Sequence, residues 1–170
     1  MFKVLLATDG SEYSEKAAIY AGQLCGKMED CEITVLHVKE LDSGALGSVV
    51  EPYYATAPDT KALRDQLDQR VTSTLTAAQE QSDQLATSSL TAAQKLLGST
   101  GQRVILRSAW GRPSDVICKM AEEEGFDLVV LGRRGRGHVA SLLFGCVSDR
   151  VAHCAKVPVL IVHELAPKAQ

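Results

Sequence analysis

At 170 residues with a formal net charge of -3, the chain is long enough to bury a core of its own and lacks the basic excess that drives general nucleic-acid binding. No apolar run approaches the roughly eighteen residues of a membrane span, and the one in MFKVLLATDGS is too short for a signal peptide. The five cysteines (Cys25, Cys31, Cys118, Cys146, Cys154) are odd in number and show no CxxC pairing, so buried reduced thiols and a cytoplasmic protein are expected. His37, His138, His153 and His163 fall at no metal-ligand spacing, which argues against a zinc site. His37 and His163 read as strand-end residues. The G-x-S-x-G turn of acyl hydrolases is missing.

In chain order, Phe2–Thr8 is a continuous apolar run stopping at Asp9-Gly10-Ser11, the pattern of a buried parallel strand. Ser11 or Ser14 can cap the following helix, which runs to about Lys27 with Ala17, Ala18, Ala21, Leu24 and Cys25 on one stripe. Ile33–Val38 is a second strand, reached by a right-handed crossover. Lys39–Thr60 is the least patterned stretch, and a connection of that length is usually functional or mobile. Lys61–Leu97 reads as helix, with Leu63, Leu67, Val71, Leu75, Ala78, Ser82 and Leu85 stepping along one face. At 1.5 Å per residue it would span roughly 55 Å, against about 20 Å for a six-residue strand. LTAAQ occurs at Leu75–Gln79 and again at Leu90–Gln94, the mark of a local duplication. A break or bend is expected between the copies at Ala86-Thr87-Ser88-Ser89, where hydroxyls compete for backbone groups.

Val104–Ser108 is a third strand, and Pro113 opens a helix to Glu124 with Val116, Ile117, Met120 and Ala121 inward, ended by Gly125. Leu128–Leu131 is the fourth strand; a helix from about Val139 or Ser148 to Ala155 follows, then a fifth strand over Val157–His163. Pro158 cannot donate a ladder bond, which suits an edge. Five strands alternating with four helices make an open parallel α/β sheet, whose ligand sits beyond the carboxyl ends of the strands where strand order reverses. That rule brings Asp9, Val38 and Gly132 to one crevice.

The stretch LVVLGRRGRGHVASLLFGCVS, Leu128–Ser148, is the candidate functional segment. Gly132, Gly135 and Gly137 permit positive φ and close approach to a ligand. Arg133, Arg134 and Arg136 add charge, though such arginines are as often simply solvated. Gly145 precedes Cys146, Val147 and Ser148, a second polar turn or helix start whose bare N–H groups suit a phosphate chain. The Walker pattern fails, because His138-Val139 stands where Lys-Ser/Thr is required. Gly135-Arg136-Gly137-His138-Val139-Ala140 satisfies the dinucleotide fingerprint, with Glu164 after the next strand, but no substrate domain follows.

A third reading rests on several motifs together. TDGS after the first strand, GRPSDVI before the third helix, Gly132-x2-Gly135-x9-Gly145 and a closing VPVLIV strand resemble the universal stress protein family from Phe2 to about Val162, with Lys39–Leu97 expanded. The resemblance implies a single Rossmann-like domain over residues 1–165, a doubly wound five-stranded parallel sheet with helices on both faces, and a tail at 166–170. It implies ATP, possibly with magnesium, held by the glycine loop: Leu131, Gly132, Arg133, Gly135, Gly145 and the turn Cys146, Val147, Ser148. Asp9, beside Ala7 and Thr8, would lie on the nucleoside side, and the Val38 backbone would meet the adenine. The family pattern has Ser or Thr where this chain has Cys146, a poor donor, so one phosphate contact weakens by about 1 kcal/mol. The function implied is a cytosolic stress-response regulator acting through nucleotide state and partners. Without a positioned general base, hydrolysis would be at most slow. A homodimer through Val157–His163 is implied as well, and the 39–98 region is the candidate protein-partner surface. Two other readings stay open: an interaction module of the same fold with an empty pocket, and a dinucleotide-binding protein.

Overall fold

The computed structural model describes residues 1–40, 61–98, 102–135 and 145–163. Among these the order is β1 (Phe2–Ala7), α1 (Glu12–Cys25), β2 (Cys31–Lys39), α2 (Lys61–Leu97), β3 (Arg103–Trp110), α3 (Pro113–Glu123), β4 (Leu128–Gly132), α4 (Cys146–Cys154) and β5 (Val159–Val162). The strands form one sheet in the order β3-β2-β1-β4-β5, parallel throughout. The chain steps outward from β1 to β3 and then returns to the other side of β1. Strand order therefore reverses between β1 and β4, the expected place for a ligand.

Side-chain alternation explains the helices on both faces. Val4, Leu6, Ile33, Val35 and Val130 point into a cluster with Ala17, Ala18, Ala21, Cys25, Ala93 and Leu97 of α1 and α2. Leu5, Leu36, Val129 and Leu131 point the other way, onto Ile117, Met120, Ala121 and Val151 of α3 and α4. Buried on both faces, the central strands need continuous apolar runs. Pro113 is the first residue of α3, as its fixed φ predicts. Pro158 precedes the edge strand β5 and contributes only its carbonyl, which accepts from the Val129 N–H at 2.9 Å.

By its contacts the chain divides into two compact units, Met1–Lys39 with Ala86–Gln170, and Glu40–Leu85. The whole sheet belongs to the first. In the second, Val71, Leu75, Ala78, Ser82 and Leu85 form a half-buried line along α2, matching the spacing in threes and fours.

Three expectations are corrected. α2 runs unbroken from Lys61 to Leu97, with no break at Ala86-Thr87-Ser88-Ser89. Ala86 and Ser89 are buried there, and the Thr91 hydroxyl donates back to the Thr87 carbonyl at 2.8 Å. A hydroxyl that bonds back to the carbonyl four residues earlier leaves the helical ladder in place. His37 lies inside β2 and is buried, rather than ending the strand. Four of the five cysteines are not reduced thiols: Cys25 pairs with Cys31 and Cys118 with Cys154, at Cα separations of 5.6 and 6.3 Å. Nor are all of them buried, since Cys154 and the free Cys146 are exposed. Each bridge joins residues brought close by packing, the end of α1 to the start of β2 and α3 to the end of α4, so no sequence spacing announced them.

Candidate nucleotide site at the β1 and β4 ends

The turn after β1 is built by short polar side chains. Gly10 takes φ 74°, which a residue with a Cβ rarely adopts. The Asp9 carboxylate accepts from the Ser11 N–H at 3.0 Å, and the Thr8 hydroxyl accepts from the Gly10 N–H at 3.3 Å while donating to the Ser14 hydroxyl at 3.1 Å. Ser11 is the N-cap of α1, accepting from the Ser14 N–H at 3.3 Å. Its hydroxyl also reaches the Arg134 carbonyl at 3.3 Å, tying the first loop to the loop after β4.

Gly132 and Gly135 make that approach possible through size, not through handedness. A Cβ on Gly132 would lie 2.5 Å from the Tyr13 carbonyl carbon and 2.7 Å from the Ser14 nitrogen, so the end of β4 packs directly on the backbone of α1. A Cβ on Gly135 would run into the Asp9 carboxylate. Neither glycine has positive φ, which corrects one of the two reasons expected for them; Gly145 lies at φ -72°. Gly137 and the rest of 136–144, with most of the dinucleotide fingerprint and Glu164, lie outside the described residues.

The main chain beyond β4 is also more committed than its glycines suggested. The Arg133 N–H donates to the Val162 carbonyl at 2.8 Å and the Gly145 N–H to the Arg133 carbonyl at 2.9 Å. Ser148, buried, donates its hydroxyl to the same Arg133 carbonyl at 2.8 Å. Arg133 and Gly145 thus use their amides within the fold and do not offer them to a ligand, against the expectation of bare nitrogens at both glycine turns. Arg133 and Arg134 are half-buried and not the solvated side chains of a free loop.

What remains is the first turn of α4. Its N-cap is Gly145, with no side-chain cap, and the first bond into the helix runs from the Asp149 N–H to the Gly145 carbonyl at 3.0 Å. The amides of Cys146, Val147 and Ser148 therefore precede the helical ladder and point along its axis, carrying the positive end of the helix dipole.

Val38 lies on the far side of β1. The Leu36 carbonyl accepts from Thr8 at 2.9 Å and the Lys39 carbonyl from Gly111 at 3.0 Å, so successive β2 residues face β1 and β3 alternately. By that alternation the Val38 main chain faces the β1 side, beyond the last β1–β2 pair, Ala7 with Leu36. Its side chain, like those of Ala7 and Leu131, packs in the core, leaving main-chain groups as what these three can present. Sequence reasoning missed the partners of the glycines: Tyr13, whose backbone receives Gly132, and Arg134, whose carbonyl receives Ser11. Only a three-dimensional contact announces either.

Residues 1–163 match the model of the universal stress protein family. A universal stress protein of Thermus aquaticus is 31% identical over 163 residues, covering 95% of this chain and 99% of that one. Among solved structures, the universal stress protein from Archaeoglobus fulgidus in complex with dAMP superposes with a TM-score of 0.62 at 16% identity, covering 95% of this chain and 98% of that one. A universal stress protein family protein from Arabidopsis thaliana with AMP bound gives 0.60 at 16% identity, covering 99% and 97%. At these identities the structural likeness speaks for the fold, and the sequence matches speak for descent. With a matching family model over nearly its whole length and a relative aligned end to end, this chain belongs to the universal stress protein family.

Proposed function

We propose that the protein binds ATP across the β1 and β4 ends and serves as a cytoplasmic stress-response regulator through its nucleotide state. The observation that carries this reading is the first turn of α4, three amides without a side-chain cap in the crevice where strand order reverses. The phosphates would bind there, beside Gly145. The Asp9 carboxylate, packed against Gly135, would accept from ribose hydroxyls, and the Val38 main chain would read the adenine edge. Family members that hold AMP and dAMP support an adenine nucleotide. Among the described residues no three His, Cys, Asp or Glu side chains gather as a metal site, so magnesium would arrive on the phosphates and keep most of its waters.

The Asp9 carboxylate is engaged by the Ser11 amide, and the reading is therefore of a binding residue and slow hydrolysis. Single-turnover hydrolysis at enzyme-like rates would contradict it. The edge strand β5, which has no outer strand neighbour among the described residues, is the surface for a homodimer, because an open apolar edge favours association; a monomer in sedimentation at micromolar concentration would refute that. A protein partner would engage the 39–98 region.

The deciding experiment is calorimetry with ATP, AMP and NAD on the wild type and Cys146→Pro. Proline suits the first helical position and removes one N–H. Gly145, at φ -72° and ψ 152°, already has the extended backbone required before proline. ATP affinity should drop about fivefold with the fold intact. Equal ATP affinity in both proteins, or NAD binding tighter than ATP, would overturn the assignment.

A further inference from the structure

We propose that Cys118–Cys154 is a thiol–disulfide exchange site that controls how firmly the phosphate-facing end of α4 is held. The two bridges differ in access. Cys25 and Cys31 are 0% and 3% exposed inside the core, whereas Cys154 is exposed and Cys118 half-buried. Exchange requires a thiolate to reach a sulfur, which selects Cys154. In a reducing cytoplasm a surviving disulfide is usually transient and redox-sensing, and a bridge at an exposed residue fits that role where one sealed in the core does not.

The consequence follows from how little else secures α4. Of its nine residues only Ser148 and Val151 are buried, and a helix so short has little stability of its own. Val151 packs with Ile117 and Ala121, Ser148 bonds Arg133, and the covalent tie to α3 closes the far end. Opening the bridge releases that end and lets the first turn, where the amides of Cys146, Val147 and Ser148 lie, fluctuate. A low-molecular-weight thiol such as glutathione is the reductant. Its thiolate attacks Cys154 Sγ, forming a mixed disulfide and expelling Cys118 as thiolate. A second thiolate then attacks the mixed disulfide, leaving Cys154 as thiolate and releasing the small disulfide. The two thiols lose two electrons in all, the cysteine pair gains them, and the two protons of the attacking thiols pass to Cys118 and Cys154. Oxidised glutathione runs the sequence backwards.

The nucleotide arm of the test rests on the ATP reading above; the thiol and exchange arms do not. In graded glutathione buffers, alkylation and mass analysis of the full chain should show one free thiol, Cys146, when both bridges are closed. Opening should free Cys118 and Cys154 before Cys25 and Cys31. Hydrogen exchange at residues 146–149 should then quicken, and ATP affinity should fall about fivefold, the low end of coupling between sites. Cys118→Ser should behave as the reduced protein in either buffer, while Cys25→Ser should keep the response. If Cys25→Ser does not fold, the wild type in the two buffers supplies the same comparison. The proposal is overturned if Cys25–Cys31 opens first, if exchange at 146–149 is the same in both states, or if ATP binds equally well to both. Should neither state bind ATP, the nucleotide reading fails alone, and quickened exchange on opening still upholds the switch.

Discussion

The starts of α1 and α4 both bond to the segment just after β4 and are built in opposite ways. α1 opens on Ser11, whose hydroxyl caps the Ser14 amide, and carries Glu12 and Glu15 in its first turn. A hydrogen bond from Lys16 holds the Glu12 carboxyl below its ordinary value, so that negative charge persists where the dipole is positive. α4 opens on Gly145 without a side-chain cap, and its nearest acid, Asp149, comes only after the three leading amides. Ser148, the one hydroxyl in that turn, is spent on Arg133. A capped, acidic start stabilises a helix; an uncapped one leaves donors for an anion. Under the proposed function the two helix starts would divide the work, α1 as the wall and α4 as the cradle.

The contrast is broken most severely where β4 packs on the start of α1. Gly132→Val puts a side chain into the Tyr13 backbone and should cost about 3 kcal/mol or more in urea unfolding, by overpacking. Any loss of ATP binding in that variant would report folding and not phosphate contact. Ser11→Ala removes the α1 cap and the tie to Arg134, for about 1 kcal/mol of stability, with ATP affinity nearly unchanged if α1 is only the wall. A fall in affinity as large as that of Cys146→Pro would mean that both helix starts bind phosphate. Cys146→Ser should act on the cradle alone, tightening ATP by at most about fivefold through a better donor, which titration calorimetry can resolve. Asp9→Asn is the mildest change, since the amide oxygen still accepts from Ser11; a loss in ATP affinity of about twofold is expected from a weaker acceptor for ribose.

Much of this molecule was legible in one sequence. Strands buried on both faces are near-continuous apolar runs, and FKVLLA, ITVLHV and LVVL could be little else. Pro113, Gly125 and Ser11 mark helix ends because their backbone and capping chemistry is local. The site was less legible, for a reason visible at Gly132 and Gly145. The glycine spacing drew attention to the loop after β4, but not to whether each glycine serves a ligand or the fold. Gly132 is a packing residue, and the Gly145 amide is already given to Arg133. The disulfides were illegible for the same reason, as Cys118 and Cys154 are 36 residues apart and meet only because α3 and α4 share a face.

The sequence by itself determined the alternating strands and helices and the parallel sheet, because periodicity and turn chemistry act over a few residues. Tertiary structure decided which amides remain for a ligand, which cysteines join, and that Ser11 closes one loop on another. Those outcomes depend on what each group meets across the sheet, and hydrogen-bond capacity used once by the fold is not available again.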